Sequence, residues 1–378
     1  MMVNECQPIK NTSFDRSTIS DEIASTSAIR QNLFMTTHPY PIRDIARQAG
    51  VSEATVDRVL NVRPGVRSST VSKVRQAIVD LDHQRSQLRL TGRSFMVDVL
   101  MQTPDRFSSS VQTAMEHLLP TMLPAVVRAR FDFRETARPA DLARALRAIR
   151  HRGSSGVVLK APDVPDVIAE VDKLAAAGIP VVTLVTDLPL SRRIGYVGID
   201  NRAAGATAAY LIDRWLGRAP GSVLIAISRS IFRGEEEREI GFRATLRDRS
   251  DRLVVEVTDT DGLDESVLER TKARLIEHPS VIGVYSVGGG NRAILAAFDA
   301  LDRPCEVFVG HDLDRDNREL LAQQRISAVL HHDLETDMRR ACHLIMQHHG
   351  AIDGTFGMSA LSTIQVVTPF NLSPDAIA

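Results

Sequence analysis

The chain reads as two parts of different class: an all-α helix–turn–helix headpiece and a larger α/β body of two lobes built on parallel sheets. Three observations predict this. Residues 41–60, P-I-R-D-I-A-R-Q-A-G-V-S-E-A-T-V-D-R-V-L, carry two short runs of helical periodicity broken by one glycine. From residue 95 the pattern changes to strands alternating with helices, which builds parallel sheets covered on both faces. That alternation runs through two consecutive series, one for each lobe. A length of 378 residues also calls for more than one domain.

Residues 1–39 are polar, Ser/Thr-rich and without periodicity, so a disordered tail is expected there. Met35 lies just ahead of the first periodic stretch, and translation from Met35 is an alternative to Met1. The headpiece is expected over 40–83. Ile42, Ile45 and Ala46 fall at helical spacing. Gly50 stops that helix, because only glycine takes a left-handed turn position without steric cost. Val51 follows as a small apolar plug, and Ser52 is a good N-cap for a second helix. Val56, Val59 and Leu60 form its apolar stripe, which leaves Glu53, Ala54, Asp57 and Arg58 on the other face. A third helix is predicted from 68 to 82, with Val71, Val74, Ile78 and Leu81 facing the core.

Any small helical hairpin shares this spacing. Charge separates the readings. From Tyr40 to Arg93 there are ten Lys/Arg against five Asp/Glu, while the whole chain carries a net charge of −1. A basic arm on a less basic body suits a polyanion partner, and the second helix of such a unit can lie in the major groove of DNA.

Residues 84–94 are expected to be a hinge, and 95–372 the body. Its predicted strands and helices end in polar turns that deserve reading one at a time, since ligands bind beyond the carboxyl ends of such strands. Asp105, Arg106 and Phe107 sit in a predicted loop after the first strand, offering hydrogen bonds and a ring face to a sugar. Lys160 ends a strand, from which a lysine either reaches the cleft or, the favoured reading, caps at the surface. Thr186 and Asp187 end the next one. Asp200 is expected to cap a helix, and Gly205 to allow close helix–sheet packing. Phe232 and Arg233 lie in a loop, with Arg238 one turn into the helix that follows. The run G-G-G-N-R opens a helix, and Asn291 with Arg292 is a plausible polar contact; the glycines lack both a P-loop Lys-Ser/Thr and a dinucleotide fingerprint. Asp312 and His332 end two further strands. His331 and His332 do not suggest zinc, since adjacent side chains diverge on a strand; no metal and no cofactor are expected.

Composition narrows the classes. Apolar residues make up 43% and charged residues 25%, enough for packed cores. Aromatics at 4% argue against a surface that stacks unpaired bases. Cys6, Cys305 and Cys342 are scattered and odd in number, so neither a disulfide framework nor a zinc spacing follows. No apolar run is long enough to span a bilayer and no signal peptide is visible, so a cytoplasmic protein without a membrane partner is expected.

The run I-R-D-I-A-R-Q-A-G-V-S-E-A-T-V-D-R-V-L-N, followed by V-R-S-S-T, resembles the headpiece of the lactose-repressor (LacI/GalR) family of transcription factors, and the resemblance extends to about Leu372. It implies a sugar-binding body resembling type I periplasmic binding proteins, with lobe 1 over about 95–198 and 334–358 and lobe 2 over about 199–333 and 359–372. It implies a homodimer, a near-palindromic double-stranded DNA operator and a small polar effector, a sugar or sugar derivative. By the same resemblance Glu53, Ala54 and Arg58 face base edges, while Ser52, Thr55 and Asn61 position on phosphates. Leu88 and Leu90 are the candidates for the hinge leucine that wedges into the minor groove, although Arg85 stands where the family usually has proline. Arg238, three residues before Gly241-Phe242, matches the family's hydroxyl-binding arginine. Asn291, Asp312 and His332 fall at other ligand positions, and Asp105, Phe107, Asp187 and Phe232 complete the expected effector set. The rival reading is an enzyme with a DNA-binding arm. No nucleophile elbow, metal cluster or dinucleotide motif supports it, so no catalytic residue is expected.

Overall fold

The computed structural model describes residues 40–228, 231–260, 262–352 and 361–372. The tail expected over 1–39 lies outside these residues, as do the side chains of Leu88 and Leu90. The chain divides into two compact units, Met1–Leu88 and Arg89–Ala378.

The first unit carries α1 (Ile42–Ala49), α2 (Glu53–Leu60) and α3 (Ser68–Leu90). Gly50 caps α1 at φ 64°, and the Val51 N–H then donates to the Ala46 carbonyl at 3.1 Å. The Ser52 hydroxyl accepts from the Thr55 N–H at 3.2 Å and so caps α2. Ile45, Ala46, Val56, Val59, Val74 and Ala77 are buried together. Their spacing, i to i+1 or i+3 along each helix, puts one apolar face of each helix into a shared core. The third helix differs from the expectation, because it runs past Asp82 to Leu90. The reason is local. No glycine or proline interrupts 83–90, and Gln, Arg and Leu there are good helix formers.

The second unit contains two sheets. The first is built from β1 (Ser94–Gln102), β2 (Val126–Arg134), β3 (Gly156–Lys160), β4 (Val181–Leu184) and β5 (Gly195–Val197), ordered β2-β1-β3-β4-β5 and parallel throughout. Val99, Val158 and Val182 are fully buried, as strands covered on both faces require. Helices α4 (Asp105–Leu118), α5 (Pro139–Arg152) and α6 (Pro165–Ala176) cover it. Here Asp105, Arg106 and Phe107 form the first turn of α4, where a loop was expected. Pro104 precedes the helix and Asp105 favours its positive end, so the helix starts early.

The chain then crosses through α7 (Asn201–Leu216) to the second sheet. It consists of β6 (Ser222–Ala226), β7 (Val254–Val257), β8 (Val281–Ser286), β9 (Val307–His311), β10 (Ala328–His331) and β11 (Gln365–Val367). Their order is β11-β10-β9-β8-β6-β7, and only β11 is antiparallel to its neighbour. Helices α8 (Arg233–Arg247), α9 (Asp264–Glu277), α10 (Asn291–Asp299) and α11 (Arg315–Ala322) accompany it. Helix α12 (Leu334–His348) returns to the first sheet, where Met338, Ala341, Cys342 and Ile345 join Val99 and Val158 in one cluster. The first and last crossings touch: the Ser362 N–H donates to the Gly198 carbonyl at 2.8 Å.

Two glycines set the depth of α8. A Cβ on Gly205 would lie 1.9 Å from the Arg238 carbonyl oxygen, and one on Gly241 would lie 2.0 Å from that of Arg202. The close approach at Gly205 is therefore helix on helix, not the expected helix on sheet. It brings α8, and with it Arg238, against α7.

Candidate functional site: a cleft between the two sheets

In both sheets the strand order reverses beside the first strand, β1 in one and β6 in the other. The carboxyl ends at such points leave a crevice. Here the two crevices face each other and enclose a cavity of about 70 Å³. The first sheet contributes Gln102, Thr103, Lys160, Val185 and Thr186, and α4 contributes Arg106 and Phe107. The second contributes Ser228, His311, Asp312 and Asp314 near its strand ends, with Phe232, Glu235 and Arg238 at the start of α8.

Arg238 is 3% exposed. Its Nε donates to Asn201 Oδ1 at 2.8 Å and one terminal nitrogen donates to the Val287 carbonyl at 3.3 Å. The other terminal nitrogen is buried without a partner, and so is Gln102 Oε1. An unmatched buried polar atom costs about 1–3 kcal/mol, so both favour a ligand that supplies the missing hydrogen bonds. Asn201 also donates to the Val185 carbonyl at 3.0 Å. Val185 sits at φ 65°, which a β-branched residue rarely adopts. Such strain persists only where surrounding bonds over-determine it. Asn201 thus aims Arg238 and holds Val185 in one contact set. Asp312 has the same kind of backbone, φ 63°. Asn317 braces it by donating to the His311 and Asp312 carbonyls at 2.9 and 2.7 Å.

Lys160 does not cap at the surface as expected. Part of it stays open to the cleft, but its Nζ donates to the Gln102 carbonyl at 3.0 Å and lies 4.6 Å from the centre of the Phe232 ring. Desolvation pushes its pKa down to about 8, and Arg238 adds to that, while Glu235 and Asp312 resist it. Burial raises Asp314 to about 6. Burial likewise holds His311 well below the usual histidine range, so its ring is neutral beside the Tyr285 hydroxyl at 2.8 Å.

Several contacts cross the cleft. Arg106 donates to the Gly262 carbonyl at 2.9 Å and lies 3.5 Å from Asp314. The Gly234 N–H donates to the Thr186 hydroxyl at 3.0 Å. Each joins the first sheet's side to the second's, so the cleft is closed in this structure.

In the first unit, Ser52, Glu53, Ala54 and Arg58 are exposed on α2 and Thr55 is half-buried. Asp57 pairs with Arg63 at 3.0 Å, and Asn61 donates to Asp57 Oδ1 at 2.7 Å.

Comparison with known proteins assigns both units. Residues 41–86 match the bacterial regulatory proteins of the lacI family, and residues 109–351 match the periplasmic binding protein domain. The chain belongs to the periplasmic binding protein domain family through its body, and carries a lacI-family helix–turn–helix domain ahead of it. It is 27% identical over 272 residues to the HTH-type transcriptional regulator MalR of Streptomyces coelicolor, covering 71% of each chain. It is 28% identical over 255 residues to the ribose operon repressor of Halalkalibacterium halodurans, covering 65% of this chain and 70% of that one. In fold it is similar to GanP, a glucose-galactose binding protein from Geobacillus stearothermophilus, with a TM-score of 0.66 at 17% identity over 74% of this chain and 99% of that one.

Within this regulator the expected effector residues divide into two groups. Phe107, Phe232, Arg238 and Asp312 line the cavity. Asp105 is exposed and is not among the residues that line the cavity, although its N–H donates to Glu135, which does, at 3.1 Å. Asp187 pairs with Arg193 and accepts from the Thr183 hydroxyl at 2.7 Å. Asn291 is buried and donates to Asn317 Oδ1 at 2.6 Å, so it supports the Asp312 turn from behind. His332 is fully buried, with Nδ1 on Asp337 and Nε2 3.7 Å from Asp312. Lys160 and Gln102 also line the cavity but were not among the expected effector residues, and Asn201 stands behind it as the partner of Arg238. The only sequence signal for Lys160 was its place at a strand end. Among the described residues no helix is long and apolar enough to cross a membrane.

Proposed function

We propose that this regulator is a sequence-specific transcriptional repressor of the cytoplasm, without enzymatic activity, controlled by a small polar effector bound between its lobes. The effector is a sugar or sugar derivative. A homodimer reads a near-palindromic operator, because one headpiece buries too little surface for specific binding alone. Glu53, Ala54 and Arg58 read base edges, with Arg58 bidentate to guanine, while Ser52, Thr55 and Asn61 position on phosphates.

The observation that carries the effector reading is the buried, unmatched nitrogen of Arg238 on the cavity wall. The relatives support the ligand class. One is named a ribose operon repressor and another, from Vibrio alginolyticus, a sucrose operon repressor. The cavity of about 70 Å³ is below the roughly 300–1,000 Å³ of pockets for drug-sized ligands, so this closed cleft must widen to take a sugar. Opening and closing of the cleft moves one lobe against the other, so effector and operator affinities become linked.

Arg238→Ala tests this. The variant is expected to bind operator as the wild type does and to lose its response to effector. Calorimetry showing wild-type effector affinity in that variant overturns the site assignment.

A further inference from the structure

We infer that the effector carries an anionic group, a carboxylate or a phosphate, seated against Lys160 and Arg238. This rests on the reading of the cleft as an effector site and names the chemistry of its occupant.

The argument is one of charge matching. Charges taken out of water require ionic or strong polar partners. Elsewhere in the body, buried carboxylates and their cations meet that rule. Asp98 is paired by Arg130 at 2.7 Å and also by Arg152, and Glu170 by Arg147 and Lys173 at 3.0 and 2.8 Å. Lys160 and Arg238 depart from it. Among the described residues, the partners of Lys160 are a backbone carbonyl and the face of Phe232. Those of Arg238 are an amide oxygen and a backbone carbonyl, with one nitrogen left over. Among the described residues, neither cation has a carboxylate oxygen within ion-pair distance. A ring face attracts an ammonium but does not neutralise it.

The acids of the cleft are engaged in other ways. Glu235 accepts from the Ser228 N–H and hydroxyl at 2.8 and 2.5 Å. Asp314 caps α11 through the Asn317 N–H at 2.8 Å and faces Arg106. Glu135 accepts from the Asp105 N–H. Asp312 is the acid left to receive a donor from the effector, and Gln102 Oε1 is a second unmatched acceptor. The cavity therefore presents two cations without an ion-pair partner, with Glu235 and Asp312 near Lys160 but beyond ion-pair distance, together with acceptors for hydroxyls. A hydroxy acid of monosaccharide size, such as an aldonate or uronate, matches both; a phosphate ester matches the first in the same way.

The test is a thermal-shift series on the full chain at constant ionic strength, with D-galactose against D-galacturonate, D-glucose against D-gluconate, inorganic phosphate, and citrate as an acid that is not a sugar. Lys160→Met, which keeps the apolar stem and removes the charge, is run beside the wild type. The expected result is a rise in Tm of several degrees with an acid and none with its neutral parent, lost in Lys160→Met. Gluconate or galacturonate acting alone assigns a carboxylate, and inorganic phosphate acting alone assigns a phosphate. A shift with a neutral sugar and not with its acid overturns the anion inference and leaves the sugar reading standing. A shift with citrate alone keeps the anion inference and removes the sugar reading. If no compound acts, the ligand-free variant decides: a higher Tm for Lys160→Met supports an unmatched cation, and an unchanged or lower Tm overturns it.

Discussion

At the scale of single residues, Lys160 shows how much a strand-end position leaves open. Its sequence context allowed either a surface cap or a cleft residue, and the structure places its Nζ over Phe232 in the cleft. The consequence is a pH dependence of definite sign. The folded pKa is about 8, below the unfolded value of 10.5. The unfolded chain therefore holds the proton more tightly. The penalty is full below pH 8 and fades as pH rises toward 10.5. The Tm difference between Lys160→Met and wild type is expected to be largest near neutral pH and to vanish above about pH 10.5, read from melting curves over that range. A difference that grows with pH contradicts the assignment. In the headpiece, Arg58→Ala is expected to lose about 1–3 kcal/mol on the operator and little on random DNA, in titrations at one fixed salt concentration. Equal losses on both point to phosphate contact alone. Phe107, Phe232 and Asp312 stand where a strand ends or a helix begins, the family resemblance pointed to Arg238 and Asp312, and all four line the cavity. Asp187 and Asn291 stand in comparable places but face Arg193 and Asn317, partners that only the folded chain brings near. Spacing along the sequence carries no record of such pairings.

Elements were more legible than their ends. Each strand and helix of the body alternates in the order the hydrophobic runs predict, since a strand buried on both faces needs an unbroken apolar run. Three boundaries moved: α3 continues to Leu90 for want of a breaker, α4 begins at Asp105 directly after Pro104, and α8 begins at Arg233, which was expected in a loop, with Glu235 and Glu236 favouring its first turn. The contact of α7 with α8 was not legible as such. Gly205 announced close packing, but the surface it packs on became visible only with Gly241 opposite Arg202. Gly205→Ala is expected to destabilise the body by about 1–3 kcal/mol, because the new methyl meets a backbone carbonyl that cannot turn aside. Chemical denaturation checks this, and the same variant is expected to weaken effector response, since Arg238 supplies that carbonyl. Wild-type stability would show that α8 moves freely away from α7.

At the scale of the whole molecule, one chain joins a helix–turn–helix unit to a closed two-sheet cleft. The closed state is held by contacts that include Arg106 to Gly262 and Gly234 to Thr186. An effector that binds this state in preference to an open one shifts the balance between them by its difference in affinity and no more. The central claim is that this balance is felt by the operator. It is tested most directly by anisotropy titration of the full chain on DNA from its own promoter region, with and without the sugar or sugar acid that gives the largest thermal shift. The account predicts that the midpoint moves by about 5–150-fold, the usual range for linked sites. An unmoved midpoint, with calorimetry showing the compound bound, contradicts it.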